Sequence, residues 1–165
     1  MSTVSLTLDE IFDLAKKTLL ANGCDDETAS ILSDLIRNAE RDGSLSHGLF
    51  RLPAYVSGLK SGKINGKGKP EIKKISASVI KVQGNNCLAP LVLNKGIPEL
   101  IKAAKENGVA VLAINNSHHM AAMWPETEKL AEEGLVAFAC TSYKPAVAPA
   151  LSLIHIWRCR RRSVG

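Results

Sequence analysis

Aromatic side chains make up only 4% of this 165-residue chain, so its core has to be built from Leu, Ile, Val and Ala. No apolar run approaches the ~18 residues that a membrane span needs. The N-terminus, MSTVSLTLDE, has neither a basic start nor an apolar h-region. That speaks against a secretory signal and makes a cytoplasmic location the expectation. The four cysteines, Cys24, Cys87, Cys140 and Cys159, stand far apart and form no CxxC pair. This excludes zinc-finger spacing and a disulfide framework, so no metal is expected and the thiols are read as buried and reduced. GxGxxG is missing, which leaves a Rossmann dinucleotide site without support. In the Gly/Lys stretch SGKINGKGKP, 61–70, Pro70 stands where a phosphate loop would need Ser or Thr, and the stretch is read as a solvated linker.

What is present describes a soluble globular chain, 45% apolar and 22% charged, long enough for one domain or for part of a larger protein. The formal net charge of +5 hints at nucleic acid, but its location removes the hint. The last fifteen residues, LSLIHIWRCRRRSVG, hold Arg158, Arg160, Arg161 and Arg162 and no acid; subtracting these four from +5 leaves +1 for residues 1–150. LSLIHI is also what CTGTCTCTTATACACATCT, the transposase end of common sequencing-library adapters, encodes in one frame. Residues 151–165 are therefore read as an artefactual tail and kept out of the fold. The alternative is an arginine-rich anchor for nucleic acid or an acidic membrane, carried by a catalytically inactive binding protein.

Thr7 and Glu10 have the spacing of a capping box. Ile11, Leu14, Ala15 and Thr18 continue a helix as far as Asn22-Gly23. Asp25-Asp26 can cap a second helix, with Ala29, Leu32, Leu35, Ile36 and Ala39 inward and a stop near Gly43. A third is expected from about Ser46, interrupted by Pro53. After Pro70 the period changes: Ile72, Ile75, Val79, Ile80 and Val82 read as one or two strands, with GNN at 84–86 as a turn. A helix over 94–107 ends at Gly108. VAVLAI, 109–114, reads as a strand, 117–133 as a helix, and LVAFAC, 135–140, as a second buried strand. The pattern suggests a helical segment over 1–70 in front of an α/β-type layer over 71–150, with strand, helix and strand joined by short connections.

Two constellations carry chemistry. In SLSHGLFRLPAY, 44–55, a helix from Ser46 would stack His47, Arg51 and Tyr55 on one face, a pattern that a plain solvated face also produces. In NNSHHMAAMW, 115–124, a strand gives way to a helix with Ser117 as a possible N-cap, and free N–H groups there would favour an anion. The adjacent histidines cannot share a helix face, so a paired-histidine metal site is not expected. Spacing alone supports an anion or cofactor site as readily as a surface histidine pair.

SLSHGLFRLPAYVSGLKSGKING resembles the N-terminal signature of the malate/L-lactate dehydrogenase type 2 family of NAD(P)H-dependent oxidoreductases. NSHHMAAMWPETEKLAEEGLVAF followed by PAVAPA is similar to that family's central cofactor segment. The form is nearest to the branch that reduces Δ1-piperideine-2-carboxylate and Δ1-pyrroline-2-carboxylate. The resemblance covers residues 5–150 and implies an α+β, non-Rossmann fold, in which a mainly antiparallel sheet binds NADPH or NADH beside a helical domain built from both termini. It implies a cytoplasmic homodimer acting on a small 2-imino or 2-keto acid, with malate or lactate dehydrogenase as the alternative, and neither nucleic acid nor membrane as a partner.

Residue by residue, the resemblance makes His47 the proton donor, Ser46 its orienting partner and Arg51 the ligand of the substrate carboxylate. Tyr55 would support that set from behind. His118, His119, Met120, Ala121 and Ala122 map onto the cofactor turn, and Ser142 onto a weaker cofactor contact. In some relatives the histidine at the His118 position takes the acid–base role; pairing with Ser46 favours His47. Met120 departs from the branch's bulky aromatic. LSLIHI stands where the family continues with glycines and a G-T-N-P motif, so the chain as written is expected to be inactive.

Overall fold

Thr7 opens the first helix as its spacing requires. Its hydroxyl accepts the Glu10 N–H at 3.2 Å, and the Glu10 carboxylate accepts the Thr7 N–H at 2.8 Å. Two donors that a helix start leaves unpaired are thereby satisfied. In the computed structural model, which describes residues 4–118 and 122–141, helix α1 spans Leu8–Ala21. Gly23, at φ +100°, then turns the chain where a side chain would be strained. Asp25 accepts the Thr28 N–H at 2.8 Å and caps α2, Asp26–Arg41. Ile11, Ala15 and Leu19 of α1 pack with Ala29, Leu32 and Ile36 of α2 in one core cluster, which Leu52, Tyr55, Ile64 and Leu88 complete. Each fully buried aliphatic side chain there contributes on the order of 1.5–3 kcal/mol.

The 61–70 stretch is a stapled loop rather than a solvated linker. Ile64 is buried, the Gly66 carbonyl accepts the Asp25 N–H at 2.9 Å, and the Asn65 N–H donates to the Asn86 carbonyl at 2.9 Å. A Cβ on Gly66 would stand 2.7 Å from the Gly23 carbonyl, so the loop needs glycine for close approach.

The sheet layer has the order β1-β2-β3, with β1 Glu71–Lys74, β2 Val79–Gln83 and β3 Val111–Asn115. β1 and β2 are antiparallel with Ile72 opposite Val82. β2 and β3 are parallel, with Ile80 opposite Leu112 and Val82 opposite Ile114, so the described sheet is mixed. Between them runs helix α4, Ala89–Asn107. It begins five residues before the expected Asn94, because the unbroken apolar run Leu88 to Leu93 is buried all round and shows no period, and Pro90 fits a first turn. Gly108 closes it at φ +79°. The Lys95–Glu27 ion pair and Ile31, packed on the sheet-side cluster of Ile80, Val82, Leu91 and Val92, join α2 to this layer.

Two expectations fail toward the C-terminal end. The last described helix, α5, spans Trp124–Glu132 rather than 117–133, since Pro125 belongs to a first turn. Residues 135–140 form no strand among the described residues. Leu135 and Ala137 pack against Ala89, Leu93, Ile97 and Leu130, while Val136 and Phe138 stand 104% and 92% exposed. One face of that stretch is covered and the other is not. Cys140 is exposed with it, against the expectation of burial, whereas Cys24 and Cys87 are buried; burial pushes the Cys24 thiol up to about 11.

Candidate active site

Past α2 the expected helix from Ser46 does not form. Gly43, at φ +71°, turns the chain into two single 3-10 turns, Leu45–His47 and Leu49–Arg51, before α3, Leu52–Lys60, takes over with Pro53 in its first turn. The cause lies on α2. The Glu40 carboxylate accepts the Leu49 N–H at 2.7 Å, and it occupies the space that a Cβ on residue 48 would fill. A peptide donor that a continuous helix would use is drawn aside, and the turns restart at Gly48, whose carbonyl accepts the Arg51 N–H at 3.0 Å. His47, Arg51 and Tyr55 therefore do not stack on one helical face. Tyr55 points into the core, 2% exposed. Burial pushes its phenol up to about 12, against the opposing pull of the Arg51 charge.

The broken helix still brings the polar groups together. His47 Nδ1 lies 3.0 Å from Ser46 Oγ and 3.3 Å from Ser44 Oγ. When a serine donates there, the imidazole carries its own proton on Nε2, and Nε2 has no partner among the described residues. Arg51 Nε donates to the Ser46 carbonyl at 2.7 Å. This fixes the guanidinium beside the histidine and leaves its terminal nitrogens to a bidentate acceptor.

Three contributors escaped the sequence reading: Ser44, Trp124 and Asp42. Trp124, at the start of α5, meets the His47 ring edge-on, with centroids 5.9 Å apart and planes at 75°. Asp42 lies beside the indole, its carboxylate held low by the hydrogen-bonded Arg41 guanidinium. Arg41 grips Asp42 through Nε at 2.8 Å and a terminal nitrogen at 3.2 Å. The W-P pair before a helical period was the one available signal for Trp124. Nothing local marked the Asp42 beside it, more than eighty residues earlier in the chain.

The second constellation assembles differently from its reading. Ser117 caps no helix; the expected N-terminus does not exist there, and α5 starts without a side-chain cap. The carboxyl ends of parallel β2 and β3 meet instead, with the Gly84 N–H on the Asn115 carbonyl at 2.8 Å and the Asn86 N–H on the Asn116 carbonyl at 2.7 Å. Asn85, Asn86 and Asn116 adopt the left-handed backbone that asparagine tolerates. His118 crosses to the start of α4, donating its N–H to the Cys87 carbonyl at 2.8 Å and accepting the Ala89 N–H at 3.0 Å. Its Nδ1 is buried without a hydrogen-bond partner among the described residues. Burial, then the nearby Lys63 charge, push its pKa down, so the ring is neutral at pH 7. Ala122 is buried; His119, Met120, Ala121 and Ser142 lie outside the described residues. No cluster of three or more metal-ligating side chains occurs among the described residues, and none of their helices is long and apolar enough to cross a membrane.

The serine-held imidazole and the arginine anchored on the Ser46 carbonyl sit together on an α+β framework. The sequence profile of the malate/L-lactate dehydrogenase family matches residues 6–153, and the chain belongs to that family. It is 38% identical over 147 residues to a Δ1-pyrroline-2-carboxylate/Δ1-piperideine-2-carboxylate reductase of Pseudomonas syringae pv. tomato, across 89% of this chain and 43% of the relative. The crystal structure of the Δ1-piperideine-2-carboxylate reductase from Pseudomonas syringae pv. tomato superposes with a TM-score of 0.76 at 39% identity, over 80% of this chain and 40% of that one. Malate dehydrogenase from Entamoeba histolytica superposes with a TM-score of 0.75 at 28% identity, over 81% and 37%. The chain thus spans less than half the length of the curated relative and of both solved structures.

Proposed function

We propose that these residues belong to an NAD(P)H-dependent reductase of small 2-imino acids, with cyclic imines such as Δ1-piperideine-2-carboxylate or Δ1-pyrroline-2-carboxylate as the favoured substrates. The observation that carries the reading is the pairing of Ser46 with His47 Nδ1 at 3.0 Å beside an Arg51 anchored on the Ser46 carbonyl. Relatives with cyclic imino acids in their names support the choice of substrate.

When bound, a nicotinamide cofactor would supply the hydride for the substrate carbon next to the carboxylate. The following roles fall to residues of this chain. The Arg51 fork takes the carboxylate and fixes which carbon is presented. As the carbon–nitrogen π bond opens, electron pair density collects on nitrogen, and His47 Nε2–H donates a proton to it. Ser46 and Ser44 hold Nδ1, which fixes the tautomer and steadies the ring while its charge changes. The residues that would hold the cofactor are His118 to Ala122, with Ser142. They fit such a group at the one described position that tests it: His118 offers a buried, neutral Nδ1 that lacks a partner, at the carboxyl ends of two parallel strands, where ligands commonly sit. NADPH against NADH, a cytoplasmic homodimer, and the division near residue 70 belong to the same reading and rest on the resemblance.

The test begins with the source DNA, read across codons 145–170 without library adapters. The reading predicts glycines and a G-T-N-P motif in place of LSLIHI. The complete product should then oxidise NADPH or NADH when given Δ1-piperideine-2-carboxylate. Turnover with malate or lactate but not with the imine would replace the substrate class. No turnover with any of them would remove the enzymatic reading.

A further inference from the structure

His47 sits on a single 3-10 turn of three residues, too short an element to hold a side chain by its own packing. Its orientation has to be set from outside. The two serine hydroxyls at Nδ1 choose which nitrogen faces the protein, but hydrogen bonds to one ring atom leave the imidazole free to swing about them. Against the ring stands Trp124, T-shaped to it with the centroids 5.9 Å apart. The indole stands beside Asp42, the residue that closes α2, and Asp42 is gripped by two nitrogens of Arg41. Behind it, Pro125 occupies the first turn of α5. Glu128, one helical turn on from Trp124, adds its charge to the Arg41 environment.

We infer that Trp124 is the positioning residue for His47: it blocks the swing of the imidazole and holds Nε2 toward the substrate. This rests on the reductase reading and extends it. Trp124 follows Ala122 by two residues, so the segment proposed for the cofactor and the strut behind the proton donor are one stretch of chain. A displacement of that stretch moves both reaction partners together.

Two measurements test the inference, and they fail separately. In the 165-residue chain, the His47 ring resonances, assigned by their loss in His47→Gln, are followed by NMR in Trp124→Ala and Trp124→Phe. The indole edge should shift the ring protons, the shift should collapse in the alanine variant, and the phenyl ring should restore part of it. The Arg51 Nε–H resonance, bonded to Ser46, should stay in place and report that the turn is intact. In the complete enzyme, Trp124→Ala should lower kcat by about tenfold to a hundredfold, the scale of a misplaced reacting group, with substrate KM little changed because Arg51 is untouched. Trp124→Phe should recover most of the loss. His47 resonances unmoved by Trp124→Ala would overturn the inference, as would full kcat in that variant. If the wild-type enzyme turned over no imine or keto acid, the reductase reading would fail, while the resonances would still decide whether Trp124 sets the ring.

Discussion

Glu126 lies two residues beyond Trp124, and one of its carboxylate oxygens is buried without a hydrogen-bond partner among the described residues. Burial pushes its pKa above the ordinary 4.5. The sign of the consequence follows from proton counting. Between 4.5 and the raised value the folded chain holds more protons than the unfolded one, so stability falls as pH rises through that window. Glu126→Gln should raise the melting temperature at pH 7 and flatten the pH dependence just above 4.5; an unchanged or lower melting temperature at pH 7 would contradict the burial account. His118 works in the opposite sense. Its pKa is pushed down from 6.5, so the unfolded state takes up the proton first and stability is lost as pH falls through 6.5. His118→Gln should remove that acid-side loss, as read by urea midpoints at pH 7 and pH 5.5.

At the scale of elements, the break between the two 3-10 turns is the feature on which the site depends, and it is set by Glu40 and Gly48. Gly48→Ala places a methyl group into the Glu40 carboxylate and should cost about 1–3 kcal/mol, the usual range for overpacking. In a Glu40→Ala background the same change should cost less. Urea unfolding of the two single variants and the double variant measures the difference, and additive values would show that the two residues do not touch.

This is also where the sequence was least legible. The capping box at Thr7, the Asp25 cap and the faces of α1 and α2 could be read from spacing because they are local. The continuous helix from Ser46 was a fair reading of the period, but a carboxylate nine residues upstream of Leu49 overrides it. The start of α4 was hidden for a related reason: a helix buried all round shows no period. Ser46, His47 and Arg51 came from resemblance, and the structure brings them together by a path that no helical wheel would draw. Trp124 could not have been placed by spacing at all.

Taken whole, the chain presents a covered core on one side and bare apolar groups on another. Val136 and Phe138 are almost fully exposed, on a stretch whose alternate residues, Leu135 and Ala137, pack on the third core cluster. Exposed apolar surface of this kind promotes association. Val136→Thr with Phe138→Ser should increase solubility and reduce binding of a hydrophobic dye while leaving the melting temperature within about 2–4 °C, since two surface changes of about 0.5 kcal/mol each add to no more than about 1 kcal/mol. A large fall in melting temperature would mean that these side chains are packed after all.

The central claim is that His47 delivers the proton while Arg51 holds the carboxylate. The direct measurement is turnover of Δ1-piperideine-2-carboxylate by the complete enzyme carrying His47→Ala, compared with wild type across pH. The account predicts a fall in kcat of about 10²–10⁴-fold, the usual contribution of a positioned acid, with substrate KM nearly unchanged. Wild-type turnover by His47→Ala would contradict it and return the acid–base role to His118.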